Sequence, residues 1–264
     1  VERFDDALAT VSARWSETKN AFNMALDPDV PAGSPAGSRS LRIAGASEGG
    51  HLYKNLAAAG MAQNDVLYVR YYTQHPLPSN FAHSGIWMGG YHPPTDWPQG
   101  GAGTRPVGNE RFIAGAEVID KATGWFDHYD YWMGMHQSGD GNYWGNDLLN
   151  DPTIRVGNNQ WVCVEHMVKL NTPVTALNGE HAIWLNGTKI SHLGQGFPTG
   201  SWVWDSFMQD PSVSTTFEGF QWRNDANLNL NWLWLENFTP SDPSVTLKFD
   251  HVVAAKAYIG CLAT

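Results

Sequence analysis

Basic residues are scarce in this sequence: 16 Lys and Arg stand against 26 Asp and Glu, so the formal net charge at pH 7 is -10. Phosphate backbones and anionic membrane surfaces are repelled by such a chain unless basic side chains cluster locally, and the sequence shows no such cluster. Nucleic acid and membrane are therefore excluded as expected partners. An acidic polysaccharide would meet the same average repulsion, so it requires the few basic side chains to be concentrated in the binding groove.

Long apolar runs are also missing, because none approaches the roughly 20 residues that span a bilayer. No leader of charged then apolar residues precedes Val1, and we expect a soluble, already processed, secreted protein that is a monomer. Only two cysteines occur, Cys163 and Cys261. A bridge between them would close a long loop and suit an oxidising compartment, and two buried free thiols are the alternative that the sequence leaves open.

Several catalytic motifs are absent. The sequence has no G-x-S-x-G elbow, no glycine-rich phosphate loop, no H-E-x-x-H and no paired C-x-x-C, which argues against serine hydrolases, nucleotide enzymes and zinc proteins of the known patterns. No strand carries the alternating Glu and Asp of a retaining glycosidase. Ligand spacing is not recognisable among the histidines either, and we expect hydrogen-bonded structural roles for most of them, including His128, His136 and His166.

Short runs with period-two alternation make up most of the chain, separated by Gly, Pro, Asn and Asp clusters. They predict an all-β protein with two packed antiparallel sheets, formed by one domain over residues 1–264. The clearest predicted strands are 40–43, 51–55, 66–74, 86–89, 126–135, 161–170, 181–185, 217–222, 231–235 and 246–259. Residues 5–20 are the one plausible helix or irregular lead-in. Two long irregular stretches, 92–111 and 137–159, are expected to wall one sheet, because long loops in compact domains are usually functional.

Successive strand residues face opposite sides, so each strand divides into a core row and an outward row. In 161–170 the apolar row, which includes Val162, Val164 and Val168, predicts the core, and Glu165 and Lys169 then face outward. In 66–74 the core row is Leu67, Val69 and Tyr71, and the open row is Tyr68, Arg70, Tyr72 and Gln74. In 126–135 the row with Tyr129 and Tyr131 alternates with the row of His128 and Asp130, and either row could be buried.

Aromatic and polar side chains on the outward rows suit a sugar polymer. Trp and Tyr offer flat apolar faces with polar edges, and the chain has 13 Trp. We expect the substrate-binding residues to be Tyr68, Gln74, Trp87, Tyr129 and Trp184. In 217–223, Gln221 and Arg223 fall on one row and join the candidates.

Two segments resemble the jelly-roll polysaccharide lyases of the alginate and glucuronan lyase type and the related fungal cellulose-induced proteins. The first is WVCVEHMVKLNTP at 161–173, followed by NGE at 178–180 and WLNG at 184–187. The second is FDHVV at 249–253 with YIG at 258–260. The resemblance covers residues 40–260 at fold level and implies a concanavalin-like β-jelly roll with a concave substrate face.

Lyases of this kind cleave a uronic-acid polymer by β-elimination, and the resemblance therefore implies three roles. A cationic or amide group neutralises the substrate carboxylate, a base removes the C5 proton, and an acid protonates the leaving oxygen. His83 matches the base, and Tyr72, Tyr129 and Tyr131 match the acid. The neutralising candidates are Arg70, Lys169, Gln221 and Arg223, and Glu165 lies on the same outward row as Lys169.

Two other functions remain open. A non-catalytic carbohydrate-binding module would use Trp87, Trp184 and Tyr68 as stacking platforms, and a purely structural or adhesive domain would need only the core. The polysaccharide partner is expected to contain uronate or to come from the plant cell wall.

The resemblance also implies a structural calcium ion where the two chain ends meet. Proteins of this type often hold Ca²⁺ between an acidic N-terminal residue, a Gly/Ser loop and an Asp on the last strand. The matching residues are Glu2, Asp5, Ser38 in the 33–40 loop, and Asp250, and carboxylates and carbonyls are the ligands that Ca²⁺ prefers. Ordinary hydrogen bonding of these carboxylates is the alternative.

Overall fold

The computed structural model describes residues 1–45, 48–80, 82–239 and 245–263. Within them the chain is almost entirely β, with one short helix, α1 (Leu8–Ala13). The strands are β1 (Glu17–Lys19), β2 (Met24–Asp27), β3 (Ser40–Ala44), β4 (Gly50–Asn55), β5 (Val66–Gln74), β6 (His83–Tyr91), β7 (Arg111–Ala114), β8 (Ala116–Asp120), β9 (Trp125–His128), β10 (Trp161–Lys169), β11 (Glu180–Leu185), β12 (Thr188–Leu193), β13 (Gly200–Val203), β14 (Ser206–Gln209), β15 (Trp232–Phe238) and β16 (Thr246–Ala255). No helix among the described residues has the length and apolar character to cross a membrane.

Two antiparallel sheets form the sandwich. The five-stranded sheet has the order β1-β4-β15-β6-β7, and the seven-stranded sheet has the order β12-β11-β10-β5-β16-β3-β2. Two hairpins, β8-β9 and β13-β14, stand beside them. This arrangement confirms the predicted all-β jelly roll of packed antiparallel sheets.

The core lies between the two sheets and follows the predicted alternation. Val162, Val164 and Val168 of β10 are buried there, and so are Leu67, Val69 and Tyr71 of β5. The five-stranded sheet contributes the alternate residues Leu52, Ile86, Met88, Leu233 and Leu235. At about 25 cal/mol per Å² of apolar area removed from water, such a continuous layer supplies the main stabilisation of the sandwich.

Some predicted strands differ from the observed ones. Residues 217–222 do not form a strand: Gly219 has a φ of +96°, which interrupts the extended run, and the fully buried rings of Phe220 and Trp222 stack 4.2 Å apart. The strand predicted at 126–135 ends at His128, and the chain continues through single bridges from Asp130 to Asn146 and from Tyr131 to Ile113. The predicted helix is only the six residues of α1.

The last strand also ends earlier than predicted, at Ala255. The following segment, 256–263, which we call the C-terminal strap, lies on the outer face of the seven-stranded sheet. Its backbone N–H groups at Ile259 and Gly260 donate to the two carboxylate oxygens of Glu165, at 2.7 and 2.8 Å. A disulfide joins Cys163 of β10 to Cys261 of the strap, with a Cα–Cα distance of 6.0 Å, which decides between the two states that the sequence left open.

Candidate active site

The predicted outward row on β5 and β10 is covered rather than open. Arg70, Tyr72 and Glu165 share one face, because Glu165 pairs with Arg70 and Cys163 pairs with Tyr72 in the ladder. They are only 6%, 7% and 1% exposed. The C-terminal strap covers Glu165 and Tyr72, and the N–H of Leu262 donates to the Tyr72 hydroxyl at 2.7 Å. The expectation that this row forms an exposed concave surface is therefore wrong, although the shared face is confirmed.

The other candidates away from β6 also have structural contacts. Arg223 is buried and donates to the carbonyls of Leu228, Ala226 and Asn64, and Gln221 donates to the carbonyl of Val174. The remaining candidates lie on the strap side of the seven-stranded sheet: Lys169 paired with Glu180, Gln74 bonded to Asp29, and Tyr68 against the ring of Trp184. The structure does not bring any of these residues to the cleft that holds His83.

A cleft lies on the outer face of the five-stranded sheet, which is the opposite side of the sandwich. It has a volume of about 410 Å³. His83, Trp87, Tyr129 and Tyr131, all predicted from the sequence, line it together. The sequence reasoning missed its other side chains that carry polar or aromatic groups: Lys19, Glu48, His51, Gln99, Trp144, Trp234, Glu236 and Phe238.

Strand alternation places these groups on one face. In β6, His83 and Trp87 are four residues apart and point outward, while Ile86 and Met88 point into the core. In β15, Trp234 and Glu236 share the outward row, and the register sets Trp234 directly beside Trp87, with ring centroids 5.4 Å apart. Extending the predicted 231–235 strand by three residues would have placed Glu236 on the same row as Trp234.

Both long loops contribute to the walls, as the sequence predicted. The stretch 92–111 supplies residues 98–102, and the stretch 137–159 supplies Trp144, whose side chain is 39% exposed. The two loops bind each other through the Tyr143 N–H, which donates to the Gly103 carbonyl at 3.1 Å. The exposed indole of Trp144 is thereby held at the rim of the cleft.

A histidine–carboxylate pair lies at one end of the cleft. Glu117 Oε1 is 2.9 Å from His83 Nδ1, and its Oε2 accepts the N–H of Ser84 at 3.1 Å. A hydrogen on Nδ1 satisfies this contact and leaves Nε2 as the nitrogen that can exchange a proton with a substrate. Burial lowers the pKa of His83, but the charge and hydrogen bond of Glu117 oppose this effect, and the pKa is raised above its usual 6.5.

Two tyrosines stand against this histidine. The ring of Tyr129 is 4.9 Å from that of His83, and the hydroxyls of Tyr129 and Tyr131 are 3.4 Å apart. Gly145 packs so closely against Tyr129 that a Cβ there would come within 2.5 Å of the ring. Burial raises the pKa of both tyrosines, so each keeps its phenolic proton at neutral pH.

Glu236 is a buried carboxyl group, and few polar contacts offset the loss of its hydration. It is 4% exposed, and no hydrogen-bond partner of its Oε1 is found in the described part of the chain. Burial, with the charge of Glu117 adding to it and that of His83 opposing it, raises the pKa of Glu236 to about 8. A protonated carboxyl at neutral pH donates a hydrogen bond into the cleft, a role that an ionised carboxylate cannot have.

The basic side chains are not concentrated as an acidic substrate was expected to require. Lys19 is the one Lys or Arg lining the cleft among the described residues, and it pairs with Glu48 at 3.1 Å. His51 bonds Glu17 at 2.9 Å, and burial lowers its pKa. The groups that the cleft offers to an anion are therefore histidine, lysine and the neutral acid Glu236, and no arginine of the described chain lines it.

The calcium candidates lie near one another where the two chain ends meet, as the sequence predicted. They are not equally suited to bind an ion. Glu2 bridges to Val252, and the Asp5 carboxylate accepts the N–H of Arg39, so the N-terminus, the 33–40 loop that contains Ser38 and the last strand are adjacent. Asp250 Oδ2 is buried and accepts no hydrogen bond from the described residues, with His251 Nε2 3.8 Å away, which leaves it available to a cation. Glu2 does not fit, because its oxygens already accept from Arg14 and from the N–H groups of Arg3 and Phe4.

Comparisons with known proteins agree on the fold. No protein-family model and no curated protein matches the sequence. Among solved structures, the chain is similar to the alginate lyase Aly36B bound to an alginate trisaccharide (16% identity, TM-score 0.57, covering 96% of this chain and 93% of that one). It is similar to the PL-14 alginate lyase from Aplysia kurodai (14% identity, TM-score 0.59, covering 95% of this chain and 95% of that one). It is also similar to the endo-β-1,4-glucuronan lyase from the fungus Trichoderma reesei (11% identity, TM-score 0.52, covering 92% of this chain and 91% of that one). The chain therefore has the fold of the jelly-roll polysaccharide lyases.

Proposed function

We propose that this protein is a lyase that cleaves a uronic-acid-containing polysaccharide by β-elimination in the cleft of the five-stranded sheet. The observation that carries the proposal is the His83–Glu117 pair facing two protonated tyrosines in an aromatic-lined cleft. The fold supports it, because three solved structures with this fold are named alginate or glucuronan lyases. Fold alone does not determine activity, so the chemistry of the cleft is the main argument.

β-Elimination needs a base and an acid on the atoms around one glycosidic bond. His83 Nε2 takes the C5 proton, and the electron pair of the broken C5–H bond forms the C4–C5 double bond. The C4–O bond then breaks, and the phenolic proton of Tyr129 or Tyr131 goes to the leaving oxygen. Glu117 is a positioning residue, since it holds the His83 ring and stabilises the imidazolium that forms.

The substrate carboxylate must be neutralised for the C5 proton to become acidic. Glu236 supplies a neutral O–H donor within the same cleft, and Lys19 and His51 supply the cationic or polar groups near it. In a water-poor site these donors are worth more than in bulk solvent. Trp87, Trp144 and Trp234 provide faces for sugar rings.

The proposed place of action is outside the cell. The Cys163–Cys261 disulfide supports an oxidising compartment. We propose a single jelly-roll domain for the described function, with no other chain contributing to the cleft.

The test is a panel of alginate, glucuronan and neutral plant glucans, followed by the ultraviolet absorbance of the unsaturated product. We expect absorbance with at least one uronate polymer and none with neutral glucans. His83→Ala and the double variant Tyr129→Phe/Tyr131→Phe should each lose about 10²–10⁴-fold in kcat, the range for loss of a general acid or base. His192→Ala and Tyr258→Phe, which lie outside the cleft, are the matched controls.

Three outcomes would contradict the proposal. New reducing ends without unsaturated product would show hydrolysis. Binding of uronate polymers in affinity electrophoresis with no cleavage would favour the carbohydrate-binding module, which the aromatic lining of the cleft also fits. Activity that survives in His83→Ala would remove His83 from the base role.

A further inference from the structure

A buried polar cluster lies beneath the cleft, on the side of the 128–131 segment that faces the seven-stranded sheet. It consists of His128, Asp130 and His181, each with no exposed surface. His128 and Asp130 alternate with Tyr129 and Tyr131 along the chain, and His181 comes from β11. The cluster therefore joins the segment that carries the cleft tyrosines to the opposite sheet.

Three ligand-type atoms converge on one point in this cluster. His181 Nδ1 is 2.8 Å from Asp130 Oδ2, His128 Nδ1 is 3.1 Å from His181 Nδ1, and His128 Nδ1 is 3.5 Å from Asp130 Oδ2. A tetrahedral ion with bonds of about 2.0–2.1 Å holds its ligand atoms roughly 3.3 Å apart. The three observed separations lie on both sides of that value.

Hydrogen bonds join the three atoms, but one repulsive contact remains whichever ring nitrogens carry a hydrogen. Each imidazole Nδ1 is either a donor or an acceptor. If both carry a hydrogen, two N–H groups 3.1 Å apart point toward each other as they approach Asp130. If only His181 carries one, the lone pair of His128 Nδ1 faces the carboxylate oxygen. A cation at the centre replaces either unfavourable contact with three favourable ones.

In each of the three side chains, the polar atom that points away from the centre of the cluster already has a hydrogen-bond partner. His128 Nε2 is 2.8 Å from Ser191 Oγ, His181 Nε2 is 3.4 Å from His166 Nδ1, and Asp130 Oδ1 accepts the N–H of Gly115 at 3.0 Å. Metal-binding histidines and carboxylates typically use their outward atoms in this way, which fixes the ring and the tautomer.

We propose that His128 Nδ1, His181 Nδ1 and Asp130 Oδ2 bind a divalent transition-metal ion of the zinc class. Two imidazole nitrogens and one carboxylate suit Zn²⁺, whereas Ca²⁺ prefers oxygen ligands, so this site differs from the proposed calcium site at Asp250. The ion holds the 128–131 segment against β11 and so sets the positions of Tyr129 and Tyr131. The inference goes beyond the proposed lyase activity and does not depend on it.

The first test measures metal in the native protein. The tag-free chain is expressed in minimal medium with zinc, and in parallel with cobalt, then washed with a chelator to remove surface ions. We expect on the order of one zinc ion per chain by elemental analysis, and visible cobalt absorption of the intensity given by tetrahedral sites. Neither readout uses enzymatic activity.

The second test uses variants of the cluster. Asp130→Asn and His128→Gln should lose the bound zinc, and Ser191→Ala, which removes only an outer partner, should weaken zinc binding by about 10–100-fold. His192→Gln is the matched control, because it removes a histidine of β12 that contacts Glu180 instead of the cluster; it should keep the full zinc content.

Three results would overturn the proposal. The first is wild-type protein without transition metal after expression in zinc, and the second is cobalt-grown protein without tetrahedral bands. The third is zinc that persists in Asp130→Asn or His128→Gln, since the ion would then bind elsewhere. If a ligand variant does not fold, the two wild-type measurements still decide.

Discussion

Glu236 lines the cleft and the buried Glu117 holds His83, and the two carboxyl groups have different surroundings. Glu117 accepts hydrogen bonds from His83 and from the N–H of Ser84, whereas Glu236 Oε1 has no partner in the described chain. A buried carboxyl without a donor favours its neutral form, which is why the pKa of Glu236 rises to about 8. The two carboxyl groups can therefore serve different functions, one positioning the base and the other donating to an anion.

This difference predicts a bell-shaped pH profile of kcat/KM. His83 acts as a base only without its proton, so the rate rises with pH through a pKa above 6.5. Glu236 donates only with its proton, so the rate falls as pH rises through about 8. In Glu236→Gln the falling limb should disappear, because the amide stays neutral and still donates. The rising limb should stay near its wild-type position, because Glu236 is mostly protonated, and therefore uncharged, at the pH where His83 loses its proton.

The measurement is kcat/KM on a uronate polymer across the stability range of wild type and Glu236→Gln. A falling limb that is unchanged in Glu236→Gln would contradict the assigned role of Glu236. His83 and Glu236 interact, so the apparent pKa values of the profile belong to the pair, and both limbs are fitted together.

At the scale of elements, the two long loops and the C-terminal strap cover opposite faces of the sandwich. The loops wall the cleft over the five-stranded sheet, and the strap covers Tyr72 and Glu165 on the outward row of β5 and β10. The alternation in β5 and β10 correctly predicted which residues face outward. It could not predict that a distant segment covers them, because period-two alternation specifies a face and not what lies on it.

The position of Trp144 at the rim of the cleft predicts that its removal weakens substrate binding. Trp144→Ala removes an exposed indole at the rim without touching His83 or the tyrosines, so substrate binding should weaken while chemistry continues. We expect KM to rise about tenfold, or ~1.4 kcal/mol, with kcat within a factor of about two. Steady-state kinetics on a soluble uronate polymer measure both. Trp97→Ala, another exposed tryptophan, is the control, and a loss of kcat alone in Trp144→Ala would contradict a stacking role.

The disulfide of the C-terminal strap should contribute to the stability of the fold and not to activity. The disulfide spans 98 residues, and in the chain-entropy account a loop of about 100 residues gives ~4–5 kcal/mol of stabilisation. The double variant Cys163→Ser/Cys261→Ser should therefore unfold at much lower denaturant concentration. Its activity should be unchanged at temperatures where it stays folded, because the cleft lies on the other side of the sandwich.

Denaturant titrations without reductant give the free energy of unfolding for this comparison. Reduced wild type should behave like the double variant. Equal stability of the two oxidised proteins, or a folded double variant with lost activity, would contradict this account.

At the scale of the whole molecule, the chain ends meet beside the last strand and bring Asp5 close enough to affect Asp250. Burial raises the pKa of Asp250 to about 7, although the N–H of His251 lowers it, and the charge of Asp5 adds to the rise. A buried carboxyl in this state gains most from a bound cation. The calcium ion expected from the sequence therefore stays a prediction that centres on Asp250 and excludes Glu2 as a ligand.

Removing calcium should lower the melting temperature, because an ion that binds only the folded state stabilises it by mass action. A calcium-selective chelator is used so that any zinc at the buried histidines stays in place, and added calcium should restore the melting temperature. Asp250→Asn should be insensitive to both treatments. Unchanged melting in chelator, with no calcium found by elemental analysis, would refute the prediction and leave the lyase proposal intact.

The sequence by itself determined the fold class, the core rows of β5 and β10, and four residues of the cleft: His83, Trp87, Tyr129 and Tyr131. Local alternation is sufficient for the fold class and the core rows, because the period of a strand is a property of neighbouring residues. The cleft residues His83, Tyr129 and Tyr131 were implied by the resemblance to the lyases, and Trp87 by the suitability of its ring for stacking on sugars. Only the tertiary structure decided which outer face is open. It also brought Glu236 of β15 and Glu117 of β8 to His83, and His181 to His128 and Asp130. These contacts join strands distant in sequence, and their register depends on how the two sheets pack, which no local spacing records.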